Sequence, residues 1–174
     1  MATQKMIPSS VSSTELPYPE KRIDQLMSVN GDGSGQTEMA DSAAEYKFIA
    51  SADCFIRRML IAMESASRMS PDEYGDLAAL ANGCLITVKD SNDNVIHNIS
   101  PNPIKKTWHY GLLAGSDVQP SAFEAGSDRT LIRFTLQNGG YDLRLRQNEY
   151  LSFEVQDDLS GLTSHLIQVQ GYFL

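Results

Sequence analysis

Residues 130–173 read TLIRFTLQNGGYDLRLRQNEYLSFEVQDDLSGLTSHLIQVQGYF, and the apolar spacing along them decides the fold class. In TLIRFTL (130–136), Ile132, Phe134 and Leu136 alternate with Leu131, Arg133 and Thr135. That is the two-residue period of a strand with one buried face. Asn138-Gly139-Gly140 turns the chain, and YDLRLRQ (141–147) returns it with Leu143 and Leu145 inward and Arg144 and Arg146 outward. YLSFEVQ (150–156) puts Leu151, Phe153 and Val155 on one face. A turn at Asp157-Asp158-Leu159-Ser160-Gly161 follows, and SHLIQVQGYF (164–173) closes with Ile167, Val169 and Phe173. Strands of this length with turns every 8 to 12 residues or so predict a sandwich or barrel.

Upstream the same period continues. CLITVKD (84–90) and VIHNI (95–99) flank Ser91-Asn92-Asp93-Asn94, which is a hairpin pattern. YKFIAS (46–51) sets Tyr46 and Phe48 on one side. DCFIRRMLIAMES (53–65) is apolar on both faces, with Phe55, Met59, Ile61 and Met63 alternating against Ile56, Leu60 and Ala62. A buried helix reads similarly; a strand is assigned because the neighbouring strands need a partner. Ser70-Pro71-Asp72-Glu73 has the residues of a helix start and Asn82-Gly83 those of a stop. A short helix is therefore expected between them, with Tyr74, Leu77 and Leu80 along one side. Residues 100–128 carry Pro101, Pro103 and Pro120 and read as a long connection, with one strand around Thr107 to Leu113. The expectation is an all-β, jelly-roll-like antiparallel sandwich of about eight strands with a short helix.

Residues 1–42 differ in composition. SSVSSTELPYPEKR and NGDGSGQTEMADS are polar and Gly/Pro-rich, too poor in apolar area to offset their ordering entropy. They are assigned to a flexible N-terminal arm, and residues 43–174 to the sandwich domain. Ile23, Leu26, Met27 and Val29 fall at helix-like spacing, enough for a turn or two. The arm has two readings, a disordered tail or a tether that orders on a neighbouring subunit.

The chain has 174 residues and a formal net charge of -8. That charge repels phosphate backbones and anionic lipid, so neither nucleic acid nor a membrane is expected as partner. No apolar run approaches the roughly 20 residues that span a bilayer. MATQKMIPSSVSS lacks the apolar centre of a signal peptide, and export is not expected. Cys54 and Cys84 each sit in an apolar run; buried thiols are the simpler reading and a disulfide the alternative.

Motifs with chemistry are sparse. NGDGSG (30–35) follows no strand and lacks the lysine of a phosphate loop. In DSNDN (90–94), Val95 and Pro101 stand where a calcium loop needs Gly and Glu. His97, His109 and His165 are scattered, and Asp90, Asp93, Asp157 and Asp158 fall at turns. No catalytic residue, cofactor or metal site is assigned, and the chain is expected not to be an enzyme. Four residues are candidates for an interface. Trp108 and Tyr110 stand beside Lys105 and Lys106, where filling the core is the competing reading. Arg57 and Arg58 interrupt an apolar strand, so at least one must face solvent or a partner.

The succession RRMLIAMES (57–65), DEYGDLAALANGCLITVKD (72–90), NPIKKTWHYG (102–111) and DDLSGLTSHLIQVQGYF (157–173) resembles the auxiliary head proteins of tailed bacteriophages. The likeness covers roughly residues 45–174. It implies a capsid decoration or cement protein of jelly-roll fold, a homotrimer on the virion head that binds the major capsid protein and stabilises the shell. The family brings no catalytic residues. The competing expectation is a carbohydrate- or receptor-binding sandwich of a head or tail appendage, with Trp108, Tyr110 and Tyr172 as its aromatics.

Overall fold

Alternation beats the helical reading at residues 53–65: Cys54–Ser65 is a single 12-residue strand, β3. A computed structural model describes residues 22–33, 43–65, 69–70, 72–75, 77–113, 119–121, 129–138 and 141–174. The other strands among these residues are β1 (Arg22–Leu26), β2 (Ala44–Ile49), β4 (Cys84–Lys89), β5 (Val95–Asn98), β6 (Gln119–Ser121), β7 (Arg129–Thr135), β8 (Gln137–Asn138), β9 (Tyr141–Leu145), β10 (Tyr150–Val155) and β11 (Leu162–Phe173). The larger sheet runs β1-β11-β3-β7-β6, with β9 beside the start of β3 and β8 beside β9. The smaller runs β2-β10-β4-β5. Every pairing is antiparallel. Two sheets face each other across one core, and the chain is an all-β sandwich.

The core is built by the alternation the sequence displays. Ile61, Ile132, Ile167 and Val169 from the larger sheet meet Phe48, Ile86, Leu151 and Phe153 from the smaller, all at or below 2% exposure. Leu145 and Val155 join them, while Leu143 and Phe173 pack at the margin. Side chains at Phe134 and residues 137–141 lie outside those described.

One phase change in β3 is invisible to simple alternation. Ile56 and Met59 are both buried though three residues apart. The cause is a bulge: Gln170 pairs with Arg58 and Gly171 with Ile56, leaving Arg57 extra. There β3 also changes partner, from β9 to β7, and the Arg57 carbonyl accepts the Leu136 N–H at 2.8 Å. Both arginines consequently emerge on the outer side. Phe55 goes with them and stacks on Tyr172 at 5.4 Å, rather than joining Met59, Ile61 and Met63 inside.

Four expectations are corrected. Part of the stretch 1–42 belongs to the sandwich: β1 pairs with β11 from Arg22↔Tyr172 to Leu26↔Gln168, and Ile23 and Met27 are buried. Their helix-like spacing loses to the free edge of β11. The chain then crosses to the smaller sheet, where Ser28 bridges Lys47. Residues 1–21 and 34–42 lie outside the described residues. The short helix after Ser70 does not form. Ser70 Oγ accepts the Asp72 N–H as a cap would, but Gly75 at φ +70° reverses the chain and Tyr74 bridges Leu77. The strand expected at 107–113 is a 3-10 turn, Thr107–Leu112. It completes the 72–75 loop: Thr107 N–H and Oγ1 both donate to the Glu73 carbonyl, and the Gly75 N–H donates to Thr107 Oγ1. Finally, the strands number eleven rather than eight among the described residues.

The turn aspartates do more than fold their own turns. Asp158 accepts the Ser160 N–H at 2.8 Å, the local role expected of it. Asp157 instead reaches across to the segment before β4 and accepts the N–H groups of Ala81, Asn82 and Gly83 at 2.5–3.1 Å. Three backbone donors would lose their acceptor in Asp157→Ala. A loss of about 1.5–3 kcal/mol is expected for such charge-assisted bonds, read as a lowered urea midpoint with unchanged slope.

Candidate docking face

The residue types of an active site do come together, but in the core. The Tyr74 hydroxyl lies 2.7 Å from the Tyr110 hydroxyl and 2.9 Å from His165 Nε2, and Cys84 Sγ lies 3.7 Å away as a donor to it. All four are fully buried or within 1% of it. Burial drives each away from its charged form. His165 is pushed down to about 4, the Cys84 thiol up to about 12, and both tyrosines well above their ordinary range. Burial thus favours the neutral form of every member, and none is exposed to solvent. His165 Nδ1 has no hydrogen-bond partner among the described residues. The cluster is a polar knot tying β4, β11, the 72–75 loop and the 3-10 turn together.

This places Tyr110. At 0% exposure it forms part of the knot and not of any docking surface, because its ring fills the core and its hydroxyl needs Tyr74. Trp108 stands on the same 3-10 turn but faces out, 46% exposed, edge-on to His109 at 4.4 Å. Cys54 and Cys84 are both free and buried, so the disulfide alternative falls away. Asp90 holds the β4–β5 turn by accepting the Asn92 and Asn94 N–H groups. Among the described residues no group of three or more His, Cys, Asp or Glu could hold a metal, and no helix is long and apolar enough to cross a membrane.

The two outer faces differ in how their charges are settled. On the smaller sheet, Lys89 Nζ bridges Glu45, at 2.8 Å, and Glu154. Lys47 holds the other Glu45 oxygen at 3.0 Å, and Ser152 donates to Glu45 at 2.5 Å. Burial acts to raise Glu45, yet Lys89, Ser152 and Lys47 outweigh it and hold the carboxyl below its ordinary value. This face answers its own charges.

The larger sheet does not. Six of the chain's eight arginines project from its outer side: Arg22, Arg57, Arg58, Arg129, Arg133 and Arg144. Four have carboxylate partners at 2.8–2.9 Å, namely Arg22–Asp24, Arg57–Asp142, Arg129–Glu64 and Arg144–Asp53. Arg57 also lies over the Tyr172 ring. Arg58 and Arg133 are exposed and have no ion pair among the described residues. An open groove of about 530 Å³ crosses one end of the face, between Arg22, Arg57, Arg58 and Tyr172.

Arg57 and Arg58 thus stand together on this face, with Trp108 on a separate element. Arg133 and Arg144 belong to the same face and were not singled out from sequence. Their signal was present, since both hold the outward phase of strands whose inward phase was read.

No protein-family model matches the chain, and no curated protein and no solved structure matches it either.

Proposed function

We propose that this chain is a structural protein of a tailed-phage head, a decoration protein that binds the major capsid protein as a homotrimer and stabilises the shell from outside. One observation carries the reading. The reactive side chains that the fold gathers are sealed in the core, while the larger sheet offers solvent a broad arginine-bearing face. Such an arrangement suits binding, not turnover. The winding supports it as well: β1-β11-β3-β7-β6 faces β2-β10-β4-β5 and the chain crosses repeatedly between the sheets, as the two Greek keys of a jelly roll would require. A closed ring of identical subunits would present three such faces at once, and linked contacts gain affinity by raising effective concentration.

Native mass spectrometry tests the assembly. The expected species at micromolar concentration has three times the 19.2 kDa chain mass. A chain that stays monomeric at every concentration contradicts the proposal.

A further inference from the structure

We infer that the outer face of the larger sheet takes an acidic protein surface, with Arg58 and Arg133 as its two open carboxylate seats. The inference rests on the docking reading above and names the chemistry of the partner.

The chain carries a net charge of -8, yet this face sets six arginines against the carboxylates of Asp24, Asp53, Glu64 and Asp142. Positive charge is collected where the remainder of the molecule is acidic. Geometry narrows the partner. Arg58 pairs across the sheet with Thr135, and Leu60 with Arg133, so the two open arginines are diagonal neighbours on adjacent strands. Such positions lie about 7–8 Å apart, a spacing that two acidic side chains on one strand or one helical turn can match. Each guanidinium can then grip a carboxylate through two parallel N–H donors. Beside them lies apolar ground, half-buried Leu60 opposite Arg133 and the 37% exposed Leu131 one step further along β7, which a protein surface can cover and keep dry.

Two features favour carboxylate over nucleic-acid phosphate. The cations described on this face are all arginine, the type enriched at protein interfaces where lysine is depleted. Carboxylates also interleave with them, and a phosphate backbone with its unbroken line of charge would run against those acids.

The test is binding of fluorescently labelled poly-L-glutamate, followed by anisotropy at low and moderate salt, with duplex DNA as a parallel probe. Saturable, salt-sensitive binding of polyglutamate is expected, weakened roughly tenfold or more in Arg58→Glu/Arg133→Glu. Arg146→Glu, beyond the end of β9, is expected to change it less than about twofold. Both seats are exposed and carry no ion pair among the described residues, so the double variant should melt with the wild type, separating lost binding from lost fold. Unchanged binding by the double variant, duplex DNA binding as tightly as polyglutamate, or no saturable binding would each overturn the inference. A monomeric mass with polyglutamate binding intact would sink the trimer and leave these seats standing. A trimer that ignores polyglutamate would do the reverse.

Discussion

Gly171→Ala is expected to destabilise the fold by about 3 kcal/mol or more, the largest effect of any single methyl group added to a described glycine. Gly171 faces Ile56 where the β3 bulge brings the two backbones together. A Cβ there would sit 2.0 Å from the Phe55 carbonyl oxygen and 3.0 Å from the Ile56 Cα. These are backbone atoms at the centre of the larger sheet, so no side chain can swing aside to relieve the clash. Either the β11–β3 ladder parts or the bulge is lost. Losing the bulge would turn Arg58 toward the core. For a chain of this size the loss corresponds to a melting temperature lower by roughly 6–12 °C. Gly111→Ala supplies the contrast: nothing lies within 4 Å of its added Cβ, and a change within about 0.5 kcal/mol is expected. Differential scanning calorimetry of the pair would check both.

Acid should act through His165. Its folded-state value of about 4 lies below the ordinary 6.5, and the cause is desolvation. The charged and titratable groups around it are few: Tyr74 at 2.9 Å, with Tyr110 and Cys84 behind, none of them anionic near neutrality. Phe153 from β10 closes the other side at 5.8 Å. Among the described residues no carboxylate is there to receive an imidazolium. With the folded value depressed, the unfolded chain takes up its proton first as the pH falls. The His165 contribution is therefore constant above about pH 7, and it lowers stability from about pH 6.5 to pH 4 by about 3 kcal/mol in all. Asp53, Asp90, Asp158 and Glu45 lie below their ordinary carboxylate values, so their contributions are lost from about pH 4.5 downward and leave the upper part of that window to His165. His109 is also depressed, by desolvation and then by Lys106 and Lys105, but it is only partly buried. His165→Gln should flatten the decline between pH 6.5 and 4. Urea midpoints at closely spaced pH values would show the slope, and a midpoint independent of pH there would contradict the desolvated imidazole.

Alternation carried most of the architecture. β7, β9, β10 and β11 could be read from residue pairs such as Leu151/Phe153 and Ile167/Val169, because a half-buried strand must repeat every second residue. The hairpin at Asp90–Asn94 was legible for an equally local reason, the aspartate that binds its own turn. What alternation could not supply were events fixed by distant partners. Nothing near Arg57 announces the bulge; it arises where β3 trades β9 for β7. β1 looks like part of a polar arm because its burial depends on the edge of β11, some 145 positions later. The helix signals at Ser70 were real locally, and lost to Tyr74, whose hydroxyl is drawn into the core by Tyr110 and His165. The arginine-bearing face was half legible. Arg57 and Arg58 stood out as charges within a greasy run, whereas Arg133 and Arg144 looked like ordinary solvent-facing residues until β7 and β9 took their places on either side of β3. His165 was legible too, since it holds the inward phase of Ile167 and Val169. A histidine at an inward position is a buried group to be accounted for.

The most direct measurement is a cryo-EM map of a virion that contains this polypeptide. The account predicts sandwich-shaped density in threes at regular lattice points on the outside of the head, with the arginines of β3 and β7 turned toward acidic coat residues. Density confined to the tail or the head interior, or a sandwich seated on the opposite sheet with those arginines in open solvent, would contradict it.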